Sequence, residues 1–256
     1  MEWPQALIFD VDGTLADTER DGHRVAFNRA FAEEGLDWVW SVGLYGELLS
    51  VTGGKERILF YLDRFNTGFE RPTDLAGFIA GLHRSKTKHY MALMSEGAIP
   101  LRPGVRSLLE EARASATRLA IATTTTPENV SALIESTLPA GAMDWFEVVG
   151  AGDVVPNKKP APDIYRYVLE QMHLAPEQAI ALEDSAHGLS AARNAGIGHV
   201  VVTVNDYTEG QDFDGAVAVF DKLGEAGQPA SLLAGPAPAN SIVDLGYLRA
   251  LGVMQS

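Results

Sequence analysis

The chain has 256 residues, of which 46% are hydrophobic, and a net charge of −14, which suits a globular protein with a substantial core. The acidic balance gives no general attraction to nucleic acid or anionic membranes, and the absence of cysteine excludes disulfides, zinc–thiolate sites and cysteine nucleophiles. No apolar run reaches the roughly 18–20 residues of a membrane span. We therefore expect a cytoplasmic protein with no nucleic-acid or membrane partner, although a removed organelle transit peptide would leave no trace here.

The first predicted element is a short buried strand at residues 6–9, followed by the string DVDGT. Asp10 and Asp12 point to the same side of an extended chain, with backbones roughly 6.6 Å apart. Two carboxylates beside a buried strand repel each other, and a hard cation such as Mg²⁺ would relieve that repulsion. The alternative is a strand that simply ends in an acidic turn.

The next stretch, residues 17–97, has a helical pattern with few strand-like runs, and beyond it helices and strands alternate. Such alternation predicts an α/β fold with a parallel sheet flanked by helices. We therefore predict an α/β core domain made of residues 1–16 and 98–224, with an inserted all-helical cap domain at 17–97. Residues 225–256 are predicted to be a flexible tail, because Gly, Pro and Ala are frequent up to residue 240, and residues 241–251 are the candidate for a final short helix.

A run of four threonines, starting at Thr123, follows the predicted strand 119–122 and precedes a helix. Hydroxyls and backbone N–H groups beside a helix N-terminus can bind phosphate. The alternative is that the threonines only cap the helix, and Thr126 is the expected cap.

Two further polar strings occur later in the chain. In KKPAPDIY a lysine is held by the proline after it, and lysine acts as a compact positive charge for phosphate. A solvent-exposed pair of lysines is the alternative. Glu183 and Asp184 follow the predicted strand 179–182 and precede a helix, where acids are also favourable for purely structural reasons, because of the helix dipole.

These four strings, in this order across residues 5–204, resemble motifs I to IV of the haloacid dehalogenase (HAD) superfamily, which implies a Rossmann-like core. The KPAPD match selects Lys159 over Lys158. By this resemblance Asp10 is the nucleophile, Asp12 the general acid and then base, and Thr123 and Lys159 bind phosphate oxygens.

The same resemblance implies Mg²⁺ as the cofactor. Its expected ligands are Asp10, the backbone carbonyl of Asp12, and Asp184, with Glu183 acting through water or by orienting the other ligands.

Within the helical block, TGGKER lacks the spacing of a P-loop, and no strand precedes it. A Gly-Gly pair before a helix that carries cations could instead bind a second phosphate, the alternative being a helix start with ordinary surface charges. The strings ELLSVTGGKERI and GDVVPNKKPAPDIY resemble the CbbY-type subfamily, which includes phosphatases of xylulose 1,5-bisphosphate. The candidate substrate-binding residues are Glu19, His23, Tyr45, Gly53, Lys55 and Arg57, with Arg84 and Lys86 as weaker candidates.

We therefore expect a Mg²⁺-dependent phosphatase that acts on a small phosphorylated sugar, as a monomer or small homo-oligomer. A sugar phosphomutase similar to β-phosphoglucomutase is the alternative within the same fold. A non-enzymatic binding protein of this fold is disfavoured, because Asp10, Asp12, Lys159 and Asp184 are all present.

Overall fold

The computed structural model describes residues 3–51 and 53–254, and the chain divides into two compact units. Unit 1 consists of Met1–Asp17 and Pro100–Ser256, and unit 2 is Thr18–Ile99. Unit 2 is therefore an insertion between the first strand of unit 1 and the rest of it. Unit 2 begins one residue after the predicted start of the cap domain, residue 17, and ends two residues after its predicted end, residue 97.

Unit 1 contains a sheet in which β1 to β6 are parallel and β7 is antiparallel to β6. The strand order is β3-β2-β1-β4-β5-β6-β7. Residues of β1 and β4 are fully buried, as expected for central strands of a parallel sheet. The strands are β1 (Ala6–Phe9), β2 (Arg118–Ala122), β3 (Phe146–Gly150), β4 (Ala179–Glu183), β5 (His199–Thr203), β6 (Ala218–Phe220) and β7 (Leu232–Ala234).

The pairing register brings three strand ends to the same level. Phe9, the last residue of β1, pairs with Ile121 of β2 and with Leu182 of β4. The residues that follow these strands therefore meet at one edge of the sheet, where open α/β sheets bind their ligands.

Unit 2 is helical and has an aromatic core. The side chain of Trp40 is fully buried, with ring centroids 4.7 Å from Phe27 and 4.9 Å from Phe31. Ser41 and Asp74 cap two of the helices through their side chains. The elements are a π-helical turn (Thr18–His23), α1 (Arg24–Glu33), α2 (Val42–Leu48), α3 (Gly54–Arg64) and α4 (Leu75–Ser95).

The α-helices in the described part of unit 1 follow in chain order. Helix α7 packs against β2 and β3, and α8 packs against β4 and β5. These contacts bury a core of small and branched apolar side chains, in agreement with the hydrophobic content of the sequence. The helices are α5 (Val105–Ala114), α6 (Pro127–Thr137), α7 (Asp163–Met172), α8 (Ala186–Asn194) and α9 (Leu245–Met254).

The predicted α/β class, with a parallel sheet flanked by helices and an inserted helical unit, is confirmed. The structure differs from the sequence prediction in the segment expected to be a flexible tail, which contains β7, while α9 overlaps the short helix expected at residues 241–251. The N–H of Leu245 donates to the carboxylate of Glu111 at 3.0 Å, and Leu248 is fully buried. These contacts depend on pairing with distant parts of the chain, which local composition does not reveal. Among the described residues, no helix is long and apolar enough to cross a membrane.

Candidate active site

Polar residues follow three neighbouring strands at the aligned edge of the sheet. Asp10 directly follows β1, and its N–H donates to the carbonyl of Leu182 at 3.0 Å. Thr123 directly follows β2, Glu183 is the last residue of β4, and Asp184 comes next. All four side chains are buried, which is unusual for polar groups and demands partners for them.

The carboxylates of Asp10, Glu183 and Asp184 form a compact group, named here the acid cluster. One oxygen from each lies within 4.8 Å of the others. Buried like charges at this distance repel strongly unless they are protonated or bind cations.

Lys159 supplies one cation to this group. Its Nζ donates to Asp10 Oδ1 at 2.6 Å and to Glu183 Oε1 at 2.6 Å. Burial alone would lower the pKa of Lys159, but the two carboxylates outweigh it and raise that pKa, so the lysine stays charged. Lys158, by contrast, pairs with the exposed carboxylate of Asp153 at 2.7 Å. Lys159, the lysine that the motif match selects, is therefore the one that contacts the acid cluster, and Lys158 is not.

The single positive charge of Lys159 does not neutralise three ionised carboxylates. Burial raises the pKa of Glu183 to about 7, even though Lys159 opposes this shift. Burial and the nearby Asp10 also raise the pKa of Asp184 well above its usual range. The acid cluster therefore carries a charge conflict, and its donor set of buried carboxylate oxygens fits a hard divalent cation such as Mg²⁺.

Two glycines leave room for the acid cluster. Gly13 has φ +89°, and a Cβ there would lie 2.2 Å from Asp184 Oδ2. A Cβ at Gly188, in α8, would lie 1.8 Å from Glu183 Oε2. Any larger residue at either position would displace a carboxylate of the cluster.

Two threonines of the run after β2 have different hydrogen-bonding roles. Thr126 is the N-cap of α6 and its hydroxyl accepts from the N–H of Asn129, so the predicted helix cap is confirmed. The hydroxyl of Thr123 accepts from the N–H of Thr125 at 3.3 Å, at the end of β2. Thr123 thus lies at the sheet edge with its donor hydrogen available for another acceptor. Asp12 lies in the turn after Asp10 and is partly exposed.

The structure adds two residues that the sequence analysis did not single out. Tyr165 donates to Glu183 Oε1 at 2.5 Å, and burial raises its pKa well above the usual value, so it remains a donor. Tyr165 is the last residue of the KPAPDIY string, and that position was the sequence feature that could have indicated its role.

Arg102 is the second of these residues and is 7% exposed. Its guanidinium donates to the carbonyls of Gly13, Thr203, Val204 and Asp221, and it lies 3.4 Å from the Asp17 carboxylate. It therefore ties the turn after Asp10 to the ends of β5 and β6.

Unit 2 contains a separate polar group, named here the cap cluster. The hydroxyl of Tyr45 donates to Glu19 Oε2 at 2.6 Å and accepts from Arg57 Nη1 at 2.7 Å. Burial would raise the pKa of Glu19, but His23, Arg57 and the Tyr45 hydrogen bond lower it overall. The members of the cap cluster are Glu19, His23, Tyr45, Arg57, Lys86 and Tyr90.

His23 and Lys86 form the second part of the cap cluster. Lys86 Nζ lies 2.8 Å from His23 Nδ1, and the His23 ring stacks on Tyr90 with centroids 4.0 Å apart. Burial, with the help of Lys86 and Arg57, lowers the pKa of His23 to about 3. Since lysine is only a donor, Nδ1 of the neutral ring accepts and Nε2 carries the hydrogen.

Other predicted substrate residues lie outside the cap cluster. Gly53, Lys55 and Arg84 are exposed to solvent, whereas Lys86, a weaker candidate, is buried. The sequence analysis ranked Lys86 below Lys55 and could not foresee this difference in burial, because neighbours on a helix point in different directions.

A family model for haloacid dehalogenase-like hydrolases matches residues 4–196. This chain is a member of the haloacid dehalogenase-like hydrolase family. The superfamily suggested by the four motifs is therefore confirmed, and the match covers unit 2 and most of unit 1.

Two relatives of known name indicate the type of hydrolase within this family. Protein CbbY of Cereibacter sphaeroides is 47% identical over 228 residues, covering 89% of this chain and 96% of the relative. A phosphorylated carbohydrates phosphatase of Thermotoga maritima is 31% identical, covering 84% of this chain and 93% of the relative. The CbbY-type resemblance is confirmed, and this HAD hydrolase is a phosphatase.

A solved structure is also similar to the chain. It is a CbbY variant from Rhodobacter sphaeroides in complex with xylulose 1,5-bisphosphate, 46% identical, with a TM-score of 0.71. The match covers 88% of this chain and 98% of that one.

Proposed function

We propose that this HAD phosphatase is Mg²⁺-dependent and hydrolyses a sugar phosphate through a phosphoryl group carried on Asp10. The observation that carries the proposal is the buried Asp10 carboxylate, 2.6 Å from the Lys159 ammonium and beside Glu183 and Asp184. A carboxylate held in position by a cation is suited to attack a phosphorus atom, since the same cation can hold the phosphate oxygens.

The proposed steps use the residues of the sheet edge. A carboxylate oxygen of Asp10 forms a bond to phosphorus while the bond from phosphorus to the sugar oxygen breaks. Asp12 gives its proton to the leaving sugar oxygen, and then takes a proton from the water that attacks the phosphoryl group. That attack releases inorganic phosphate and restores Asp10, while Thr123 and Lys159 bind the non-bridging oxygens.

The proposed Mg²⁺ ligands are Asp10, the backbone carbonyl of Asp12, and Asp184. Glu183 is better suited to orient its neighbours, because its Oε1 already accepts from Lys159 and Tyr165. A bound Mg²⁺ would offset the repulsion between the acid cluster and an incoming phosphate.

We propose a sugar bisphosphate as the substrate, with xylulose 1,5-bisphosphate as the leading candidate. The crystal structure of the CbbY variant with this compound, 46% identical to this chain, supports this choice. In unit 2, Arg57 and Lys86 are buried cations, and buried cations suit recognition of an anionic group. We assign the sugar and its second phosphate to residues of the cap cluster, with Gly53, Lys55 and Arg84 in at most a peripheral role.

A phosphate-release screen over sugar mono- and bisphosphates, with and without Mg²⁺, tests the proposal. We expect Mg²⁺-dependent release from xylulose 1,5-bisphosphate without a bisphosphate primer, and a much lower rate from monophosphates. Release that is unchanged by a chelator would overturn the metal requirement. Isomerisation of β-glucose 1-phosphate without net phosphate release would favour the mutase alternative instead.

A further inference from the structure

A side-chain amide contacts the acid cluster from the loop after β5. Asn205 lies two residues beyond β5, and its Nδ2 donates to Asp184 Oδ2 at 2.8 Å. Strand β5 pairs with β4, with Val202 opposite Glu183, so the loop lies directly beside the carboxyl end of β4. Asn205 therefore reaches the acid cluster from a strand that carries none of its carboxylates.

The orientation of this amide is determined by its other hydrogen bond. Asn205 Oδ1 accepts from the N–H of Tyr207 at 2.9 Å, so Nδ2 is the atom that faces Asp184. The buried Thr208 braces the same loop, because its hydroxyl accepts from the N–H of Asn205 at 3.0 Å. The donor to Asp184 is thus held rigidly before any ligand arrives.

Gly13 confines the same carboxylate oxygen from the turn after β1. A Cβ on Gly13 would lie 2.2 Å from Asp184 Oδ2 and 2.6 Å from Asn205 Nδ2. The oxygen is therefore enclosed by the turn that follows Asp10 and by the loop that carries Asn205. Arg102 joins these two segments, since it donates to the carbonyls of Gly13 and Val204.

A neutral amide suits this position chemically. It satisfies one oxygen of a buried carboxylate without adding a positive charge, whereas a lysine or arginine there would compete with a bound cation. Ligating carboxylates commonly depend on hydrogen-bonding partners of this kind for their orientation.

We propose that Asn205 is a positioning residue that holds Asp184 Oδ2, so that Oδ1 is presented to the divalent cation. This inference rests on the proposed Mg²⁺ site. Asn205 acts through Asp184 and contacts neither the phosphate nor the sugar.

Magnesium binding by calorimetry to the chelator-treated full chain tests this role without any turnover. The informative variant is Asn205→Ser, because serine can keep the turn by accepting from the N–H two residues on, but is too short to reach Asp184. We expect a Kd for Mg²⁺ about 10-fold or more above that of the wild type, since loss of such a partner weakens metal binding by roughly 10–100-fold.

Asn240→Ser is a matched control. Asn240 Oδ1 accepts from the N–H of Ile242 at 3.2 Å, the same type of turn, at an exposed position remote from the acid cluster in sequence. We expect this variant to bind Mg²⁺ as the wild type does. A wild-type Kd in Asn205→Ser would overturn the inference while leaving the proposed metal site intact. A wild-type protein that does not bind Mg²⁺ would overturn the metal site itself, and the inference with it.

Discussion

The acid cluster and the cap cluster have opposite charge. Among the residues that the structure describes, the acid cluster has three carboxylates and one partner cation, Lys159. The cap cluster has two cations, Arg57 and Lys86, and a single carboxylate, Glu19. The first arrangement favours binding of a further cation, and the second favours binding of an anion.

The clusters also differ in which side chain has a pKa shifted towards its neutral form. In the acid cluster burial raises the pKa of Glu183, which opposes ionisation of a third acid. In the cap cluster burial lowers the pKa of His23, which avoids a third positive charge. In both clusters burial thus favours the neutral form of a titratable side chain.

The largest expected effect is at Asp10. We expect Asp10→Asn to lower kcat for phosphate release more than about 1000-fold, because an amide cannot serve as the nucleophile. Asp153→Asn is the control, since it removes an ion-paired carboxylate that is exposed. Steady-state kinetics measure the effect, and circular dichroism checks that both variants fold. Near wild-type turnover in Asp10→Asn would reject the nucleophile assignment.

Arg102→Met tests how much the buried guanidinium of Arg102 contributes to the stability of unit 1. The variant leaves the carbonyls of Val204 and Asp221 without their donor. We expect the free energy of unfolding to fall by about 3–5 kcal/mol, measured by urea denaturation. Arg113→Met, which removes an exposed arginine stacked 4.1 Å from the Trp145 ring, should cost less than about 1 kcal/mol. Similar losses in the two variants would contradict a tethering role for Arg102.

Arg57→Ala tests the anion-binding character of the cap cluster. We expect kcat/KM for xylulose 1,5-bisphosphate to fall by about 10–100-fold, mainly through KM, as for loss of a charge-assisted hydrogen bond. Hydrolysis of p-nitrophenyl phosphate should change little, because that ester has no second phosphate. Lys55→Ala, at an exposed position of α3, should have a much smaller effect. Equal losses on both substrates would remove the argument for a second phosphate.

The smallest effect concerns pH and His23. Its folded pKa of about 3 lies below the ordinary value of 6.5, so the unfolded chain binds more protons between these values. Stability is therefore lost as pH falls through this range, by about 2 kcal/mol between pH 7 and pH 5. We expect His23→Asn to lose less stability over that interval in urea titrations, whereas His173→Asn, at an exposed histidine, should follow the wild type. An identical pH dependence in His23→Asn would show that the ring does not titrate on unfolding.

The central part of the fold and of the candidate site could be predicted from short strings. Asp10, Thr123 and Asp184 each follow an apolar run, and parallel strands bring their carboxyl ends to one edge. These assignments needed only strand recognition and the motif order, because local sequence and global topology agree there.

The rest required contacts that no local pattern encodes. Arg102 bonds to Thr203, 101 residues away, and Asn205 bonds to Asp184 across two strands. Strand β7 forms from a short apolar stretch within a Gly- and Pro-rich segment, because β6 offers it a partner. In unit 2, Glu19 and His23 lie on a π-helical turn, Thr18–His23, which a helical sequence pattern does not distinguish from an α-helix.

The space at Gly188 has a consequence for engineering this enzyme. Replacing a helix glycine with alanine commonly stabilises a protein by about 0.5–1 kcal/mol. At Gly188 the added methyl group would meet the Glu183 carboxylate, whereas at Gly81, in α4, its nearest neighbour would be Arg84 Nη2 at 3.8 Å. Attempts to raise heat tolerance should therefore begin at Gly81 and leave Gly188 as it is.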